Sequence, residues 1–306
     1  MSIGELGEFG LIARITGRLG QGPEVELGPG DDAAVVRAPG GRVVATTDLL
    51  VEGRHFRRDW SPPYDIGRKA AAQNLADVVA MGARPTALLL GFGAPPDTEI
   101  GWVDALCDGL RDECAQVGAS VAGGDIVRAE TVVLGVTALG ALDGPAITRS
   151  GARPGDVVAV TGRLGYAAAG VELLSAGRRE PADLIDAHRR PRPPYAAALG
   201  ARDLGATAML DVSDGLVQDL GHIAEAAGVR IEIDGAAVPL PPVPDGLRLA
   251  LTGGDDHAFA ATFPNRMPLP AEWRTIGRVV EGPAEVVVDG RTHGAGGWDH
   301  FRPPQR

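Results

Sequence analysis

A stretch rich in glycine, proline and serine divides this chain into two halves of similar length. Residues 143–156, DGPAITRSGARPGD, interrupt a series of apolar strand-like and helix-like segments, which resumes after them. The 306 residues are enough for two ordinary domains, each with its own hydrophobic core. We therefore predict an N-terminal domain over 1–143 and a C-terminal domain over 144–306.

Strand and helix signals are mixed in both halves. The clearest predicted segments are strands over 42–51, 85–92 and 156–162 and helices over 65–82, 98–118 and 165–177. Several of the helices end at a glycine, which is typical of a helix C-terminus. This mixture predicts a fold of the α/β or α+β class in both domains.

The charge of the chain excludes some partners. A net charge of −11 argues against a nucleic acid or an anionic membrane, both of which favour a basic face. No apolar signal-peptide core is seen near the N-terminus, and apolar runs such as 132–142 are shorter than the ~18 residues of a membrane span. We expect a cytoplasmic protein whose single lysine, Lys69, leaves phosphate binding to arginine, backbone N–H groups or metal.

The two cysteines do not indicate a disulfide. Cys107 and Cys114 lie seven residues apart in a predicted helix. Such a spacing separates their Cα atoms by roughly 10 Å along the helix axis, beyond the ~7 Å limit for a disulfide. Both are expected to be buried thiols.

Aspartates recur where apolar strand-like segments end. They are Asp48 in ATTDLL, Asp125 in AGGDI, Asp211 and Asp214 in MLDVSDGL, and Asp255 and Asp256 after LTGG. Taken singly, most of them are better explained by a structural role, such as a turn or a helix N-cap. As a set, in a chain without histidine or cysteine clusters, they favour a hard cation such as Mg²⁺, which usually recruits phosphate oxygens as well.

Asp77 lies within the predicted helix over 65–82, surrounded in sequence by alanine, leucine, valine and methionine. We therefore expect it to be largely buried, on the same helix face as Asn74. A lone buried carboxylate is costly and needs a partner. Lys69 lies two turns earlier, so a metal ion is a sensible partner, and a backbone donor is the alternative.

The segment GPGDDAAVV, residues 28–36, formally fits the dinucleotide pattern G-x-G-x-x-A. That pattern requires a helix after the glycines, whereas a strand-like sequence follows here. Asp31 and Asp32 would also repel a bare pyrophosphate. We therefore expect neither a Rossmann-type site nor, since Lys69 has the wrong flanking residues, a P-loop.

Nine short motifs, taken in order, resemble the thiamine-monophosphate kinase family of the aminoimidazole-ribonucleotide-synthetase-like superfamily. They are GEFGLIARI, ELGPGDDAAV, TTDLLVEGRHF, NLADVVAMGA, AGGDI, TRSGARPGD, DVSDGL, TGGDD and GWDHF, and they span residues 4–301 approximately. The resemblance implies two α/β domains and a homodimer formed through the N-terminal halves. It also implies an ATP site in a cleft without a P-loop, which the C-terminal domain completes.

The resemblance also implies roles for individual residues. The family positions that bind several Mg²⁺ ions correspond to Asp32, Thr46, Thr47, Asp48, Asp77, Asp125, Asp211 and Asp214. The ATP positions correspond to Gly124, Asp125, Arg149 and Ser213, and the thiamine-phosphate positions to His55, Asp255 and Trp298. Arg149 would add positive charge near the phosphates, and no residue would form a covalent intermediate.

The resemblance implies ATP-dependent phosphorylation of thiamine monophosphate to thiamine diphosphate, by direct in-line transfer assisted by Mg²⁺. One segment departs from the family pattern: residues 253–258 read GGDDHA where the family commonly has GGEDYE. Two alternatives stay open at this point. LDVSDG loosely resembles the metal motif of Mg²⁺-dependent phosphomonoesterases, and the departure at 253–258 is compatible with an inactive nucleotide- or metal-binding homologue.

Overall fold

The computed structural model describes residues 2–6, 8–27, 35–266 and 268–292. The chain divides into two compact units, an N-terminal unit of residues 1–78 and 83–145 and a C-terminal unit of residues 79–82 and 146–306. In the described ranges, no helix combines the length and the apolar character needed to cross a bilayer.

The N-terminal unit is built on a four-stranded sheet. Its helices are α1 (Ile3–Leu6), α2 (Glu8–Arg18), α3 (Pro63–Ala80) and α4 (Ile100–Ala115). Its strands are β1 (Val25–Leu27), β2 (Val35–Val36), β3 (Val43–Val51), β4 (Arg84–Ala94), β5 (Ser120–Arg128) and β6 (Val133–Ala141). The sheet order is β3-β6-β4-β5, and β1 pairs with β2 separately. Within the four-stranded sheet only β4 and β5 run parallel, joined by α4, as a parallel pair requires.

The register of this sheet sorts its side chains onto two faces. Thr46 and Asp48 lie on the face next to α3, because Thr46 hydrogen-bonds to a side chain of that helix and the strand alternates with period two. Val43, Leu49 and Val127 lie on the opposite face and are 51%, 60% and 59% exposed. The unit therefore has one covered sheet face and one face with exposed apolar side chains.

Two glycines allow α3 and α4 to approach each other closely. A Cβ atom added at Gly67 would lie 2.1 Å from the carbonyl oxygen of Leu106. One added at Gly109 would lie 2.0 Å from the carbonyl oxygen of Tyr64. Since both obstacles are backbone atoms, no side-chain rotation can make room, and only glycine fits.

We expect Gly109→Ala to lower the free energy of unfolding by about 2 kcal/mol or more, because the methyl group forces the two helices apart. Gly101→Ala is the matched control on α4, since an added Cβ there meets nothing within 4 Å. The control should leave stability unchanged or raise it by up to about 1 kcal/mol. Urea unfolding measures both, and equal stabilities for the two variants would contradict the close contact.

The cysteines of α4 are as predicted. Cys107 and Cys114 are free and buried. Burial raises the pKa of both thiols to about 12, which keeps them protonated and unreactive at neutral pH. The prediction of buried thiols without a disulfide is confirmed.

The C-terminal unit contains a seven-stranded sheet. Its helices are α5 (Tyr166–Ser175), α6 (Ala182–Arg189), α7 (Tyr195–Gly200), α8 (Leu216–Ala227) and α9 (Gly246–Thr252). Its strands are β7 (Asp156–Thr161), β8 (Ala208–Val212), β9 (Arg230–Ile233), β10 (Ala258–Pro264), β11 (Arg274–Val280), β12 (Glu285–Val288) and β13 (Arg291–Thr292). The order is β13-β12-β9-β11-β7-β10-β8, with β9 and β12 as its parallel pair.

Helix α8 anchors the end of β8. Leu216, Leu220 and Ile223 of the helix are fully buried in one hydrophobic cluster with Leu210 and Val212 of the strand. The turn between β8 and α8 is therefore held at both ends by apolar packing. With sheets and helices in both units, the predicted α/β class is confirmed.

Candidate functional site

In the N-terminal unit, strand β3 and helix α3 bring predicted metal ligands together. The Thr46 hydroxyl donates to Asp77 Oδ2 at 2.7 Å. The Asp48 N–H donates to Asn74 Oδ1 at 3.1 Å, and the Asn74 amide donates in turn to the Ala70 carbonyl at 3.0 Å. The strand and the helix are thus joined by polar contacts around the predicted ligands Thr46, Asp48 and Asp77.

Asp77 is mostly buried, with a small part of its side chain exposed. Within residues 71–80, Asp77 is partly exposed and all the remaining residues are buried. Its helical neighbours are apolar, but the side chain itself lies opposite the hydroxyl of Thr46 rather than inside the core. This partial exposure is compatible with the predicted, largely buried Asp77, and the carboxylate has a polar partner on the strand.

Three other predicted residues lie elsewhere in the same sheet. The Thr47 hydroxyl, on the face away from α3, donates to the Val136 carbonyl at 3.0 Å. Asp125 is exposed, and the register puts it in the row of Leu49, again on that opposite face. Gly124 lies so close to β4 that an added Cβ would be 1.9 Å from the Leu90 carbonyl oxygen. The roles of these three residues stay predictions.

His55 lies in the turn after β3, where backbone and side-chain contacts hold it. Its Nδ1 accepts from the Val51 N–H at 3.0 Å, so the neutral ring carries its hydrogen on Nε2. Its carbonyl accepts from the ammonium group of Lys69 at 3.2 Å. Lys69 is only 2% exposed, which makes the single lysine an internal anchor of the turn rather than a surface group that binds phosphate.

In the C-terminal unit, a buried carboxylate organises the turn after β8. Asp219 Oδ2 accepts hydrogen bonds from three consecutive N–H groups, those of Ser213 at 3.1 Å, Asp214 at 3.0 Å and Gly215 at 3.1 Å. Burial, together with the nearby charges of Asp211 and Asp214, raises the pKa of Asp219 to about 7. Asp219 is not among the site residues predicted from the sequence, although an acidic residue in the first turn of a helix after Ser-Asp-Gly signals a cap.

The loop 253–257 joins this turn through its backbone. The Asp255 N–H donates to the Ser213 carbonyl at 2.8 Å, and the His257 N–H donates to the Val212 carbonyl at 3.1 Å. The His257 ring contacts Asp211, with Nδ1 2.9 Å from Oδ2. Asp255 also faces His188, whose Nδ1 is 3.9 Å from its Oδ2. The structure thus brings Asp211 of β8 together with Ser213, Asp214 and Asp255, which lie on two connected loops.

Asp256 fastens the same loop to helix α5. Its Oδ2 accepts from the Gly165 N–H at 2.6 Å and its Oδ1 accepts from the Ala167 N–H at 2.9 Å. These are donors of the first helical turn, which would otherwise have no intrahelical partner. Burial raises the pKa of Asp256 to about 7, with a further contribution from Asp255.

We expect Asp256→Asn to flatten the pH dependence of stability between about pH 4 and pH 7. In this window the folded protein keeps a proton on Asp256 that the unfolded chain, with an ordinary carboxyl pKa near 4, has released. Stability therefore falls as the pH rises, and the amide escapes this loss. The amide nitrogen cannot accept one of the two N–H bonds, so the variant starts less stable than the wild type near pH 4. The difference in unfolding free energy should then shift in favour of the variant by on the order of 3 kcal/mol between pH 4 and pH 7.

Urea unfolding at several pH values measures this difference. The exposed Asp203, replaced by asparagine, is the control in the same unit. A difference between Asp256→Asn and the wild type that stays constant with pH would contradict the raised pKa.

Arg149 lies in a short 3₁₀ turn, Arg149–Gly151, that packs against α8 and β8. Its side chain is exposed. Gly151 makes the close packing, since an added Cβ would lie 1.9 Å from the Thr207 carbonyl oxygen. The arginine is thus on the element next to the turn that carries Ser213 and Asp214.

The predicted residues Asp32 and Trp298, and with them Asp31, lie outside the described residues. Among residues 2–6, 8–27, 35–266 and 268–292, no group of three or more His, Cys, Asp or Glu side chains is arranged to hold a metal ion. The predicted ligands nevertheless supply hydroxyl and carboxylate oxygens, the donors that Mg²⁺ prefers. Their oxygen chemistry fits Mg²⁺, and two of them, Thr46 and Asp77, are neighbours joined by a hydrogen bond of 2.7 Å.

Comparison with known families identifies both halves of the chain. The family model described as "AIR synthase related protein, N-terminal domain" matches residues 30–142. The model described as "AIR synthase related protein, C-terminal domain" matches residues 153–263. Together the two matches cover more than half of the chain.

Curated relatives and solved structures agree with these matches. The thiamine-monophosphate kinase of Mycobacterium tuberculosis is 49% identical over 314 residues, which cover 98% of this chain and 93% of the relative. That of Corynebacterium glutamicum is 40% identical over 322 residues, covering 98% and 95%. The solved thiamine-monophosphate kinase of Stenotrophomonas maltophilia superimposes with a TM-score of 0.83 at 34% identity, covering 96% of this chain and 99% of that one. A solved structure described as "AaThiL complexed with AMPPCP and TMP" gives 0.79 at 36% identity, covering 98% and 99%.

Proposed function

We propose that this chain, which belongs to the thiamine-monophosphate kinase family, transfers the terminal phosphate of ATP to thiamine monophosphate and so forms thiamine diphosphate. The observation that carries the proposal is the 49% identity to a thiamine-monophosphate kinase over 98% of the chain. A solved relative with 36% identity holds AMPPCP and TMP, which represent the two substrates of this reaction. Family membership favours this kinase over the phosphomonoesterase and over the inactive homologue.

The chemistry of the acceptor explains why the protein needs no strong general base. Thiamine monophosphate is a phosphate monoester with a second pKa near 6, so it is mostly dianionic at neutral pH. The obstacle is the repulsion between this dianion and the phosphates of ATP. Catalysis therefore consists of holding two anions in line and offsetting their charge, without a covalent enzyme intermediate.

Aspartate and threonine oxygens of both units would hold Mg²⁺. They are Thr46, Thr47, Asp48, Asp77 and Asp125 in the N-terminal unit, Asp211 and Asp214 in the C-terminal unit, and Asp32. When bound, Mg²⁺ would neutralise phosphate charge and orient the reacting groups. Thr46 and Asn74 support this role, because their hydrogen bonds orient Asp77 and the backbone of Asp48.

Separate sets of residues are proposed to contact ATP and thiamine phosphate. For ATP we propose Gly124, Asp125, Arg149 and Ser213, with Arg149 adding positive charge near the phosphates. For thiamine phosphate we propose His55, Asp255 and Trp298, whose indole would face the cationic thiazolium. The Nδ1 of His55 accepts from the Val51 N–H, so Nε2 carries the hydrogen that the ring would donate to a substrate oxygen. That the C-terminal domain, over 144–306, completes the ATP and substrate site also stays a prediction.

We further propose a cytoplasmic homodimer formed through the N-terminal units. The exposed apolar side chains of Val43, Leu49 and Val127 on the sheet face opposite α3 support a second copy as the occupant of that face. Light scattering should give the mass of a dimer, and Leu49→Lys should lower that mass toward the monomer. A monomeric wild type would refute the dimer without affecting the kinase assignment.

The decisive experiment is incubation of the protein with ATP, Mg²⁺ and thiamine monophosphate. ADP and thiamine diphosphate should appear in equal amounts, and neither should appear without Mg²⁺. A parallel sample without ATP tests for release of inorganic phosphate, which the proposal does not expect. Binding of ATP without any formation of thiamine diphosphate would refute the proposed function.

A further inference from the structure

His257 is held in an unusual backbone conformation that points its ring at Asp211. Its φ is 50° and that of Asp255 is 68°, both in the left-handed region that residues other than glycine rarely adopt. The His257 N–H donates to the Val212 carbonyl at 3.1 Å, so the backbone is fixed to the strand that carries Asp211. The side chain is 6% exposed and has little freedom to turn elsewhere.

The contact between the two side chains has a defined direction. Nδ1 lies 2.9 Å from Asp211 Oδ2, and an ionised carboxylate only accepts, so Nδ1–H is the donor. Both the imidazolium and the neutral ring with hydrogen on Nδ1 can make this bond, so the contact requires no particular charge on the ring. A hydrogen bond to one oxygen fixes the plane of the carboxylate and thereby the direction of the other oxygen.

This contact occurs at the departure from the family pattern, where the chain has His257 and Ala258 in place of tyrosine and glutamate. Ala258 is fully buried in β10 and carries no polar atom in its side chain. Of the two residues His257 and Ala258, only His257 can therefore make a side-chain hydrogen bond. Its partner, Asp211, is a predicted Mg²⁺ ligand that is only 8% exposed.

We infer that His257 is a positioning residue, whose Nδ1–H orients the Asp211 carboxylate so that it can bind the cation of the metal–nucleotide complex. The inference rests on the proposed function for the role of Asp211. Groups that orient metal ligands in this way typically change metal affinity about 10- to 100-fold when they are removed.

The test is the affinity for Mn²⁺, measured by electron paramagnetic resonance in the presence of a non-hydrolysable ATP analogue. His257→Asn puts an amide donor near the position of Nδ1, and asparagine tolerates a positive φ better than most residues. His257→Gln puts its donor nearer to the position of Nε2, and His257→Leu removes the donor. We expect Mn²⁺ to bind about 10-fold more weakly to the glutamine and leucine variants, and within about threefold of the wild type to the asparagine variant.

His222→Leu, at a half-buried histidine of α8, is the matched control and should bind Mn²⁺ like the wild type. Wild-type Mn²⁺ affinity in both the glutamine and the leucine variant would overturn the inference, as would equal affinity in the asparagine and glutamine variants. If the leucine variant does not fold, the Mn²⁺ affinities of the asparagine and glutamine variants test the inference by themselves. A wild type that binds no Mn²⁺ would also overturn it.

The kinase assay separates this inference from the proposed function. In the glutamine variant, the Mg²⁺ concentration for half-maximal rate should rise about 10-fold, while kcat at saturating Mg²⁺ stays within about threefold of the wild type. A loss of kcat with unchanged Mg²⁺ dependence would overturn the positioning role. If the wild type forms no thiamine diphosphate but the Mn²⁺ affinities follow the expected order, the proposed function fails and the inference stands.

Discussion

Asp77→Asn is expected to lower kcat/KM for thiamine monophosphate by about 100-fold or more, which corresponds to the loss of roughly 3 kcal/mol of transition-state stabilisation. The substitution removes the negative charge that we assign to Mg²⁺ binding. It keeps the shape of the side chain and an acceptor oxygen for the Thr46 hydroxyl, which donates to Asp77 at 2.7 Å. The fold should therefore survive, with an unfolding midpoint close to that of the wild type.

Steady-state assays at several Mg²⁺ concentrations, combined with thermal unfolding, measure both effects. Asp97→Asn makes the same chemical change at an exposed position in the same unit and should be neutral in both. If Asp77→Asn retains kcat/KM within about threefold of the wild type, Asp77 is not a metal ligand.

Asp219→Ala is expected to cost about 3 kcal/mol or more of unfolding free energy, because it leaves one buried and two partly buried N–H groups without their acceptor. It should also lower activity by at least tenfold, since the turn that carries Ser213 and Asp214 loses its anchor. Asp219→Asn should retain most of the stability. All three N–H groups donate to one oxygen, and an amide still offers one.

Urea unfolding and the coupled ADP assay distinguish these outcomes. The control is Asp234→Ala, which removes an exposed carboxylate that accepts from the nearby Ala236 N–H at 3.0 Å. A local turn contact of this kind should contribute no more than about 1 kcal/mol. Equal destabilisation by Asp219→Ala and Asp234→Ala would contradict the anchoring role of Asp219.

The sequence predicted those parts of the fold that depend on local patterns. Helix α3 was expected over 65–82 and is observed over Pro63–Ala80, and Gly82 beyond it has a φ of 71°, as a glycine at a helix end requires. The short helices α6 and α7 were not predicted. With eight and six residues they are too short for a clear period of apolar residues, and both follow a proline.

The site was harder to predict because its contacts are long-range. Thr46 and Asp77 are both in the predicted ligand set, and they meet across 31 residues of sequence. The register across three strand pairs, which no local pattern specifies, puts Asp125 on the other face of the sheet. Asp256 reaches the start of α5 across 89 residues, so its capping role could only emerge from the folded structure.

The buried thiols of α4 make the protein its own reporter of local opening. Both cysteines of the chain, Cys107 and Cys114, lie in the N-terminal unit, so a thiol reagent can modify them only when that unit opens. The rate of alkylation under native conditions therefore measures how often the N-terminal unit opens. Opening of the C-terminal unit, which contains no cysteine, does not contribute to it. Comparing the alkylation rate with and without nucleotide would show whether ligand binding slows the opening of the N-terminal unit.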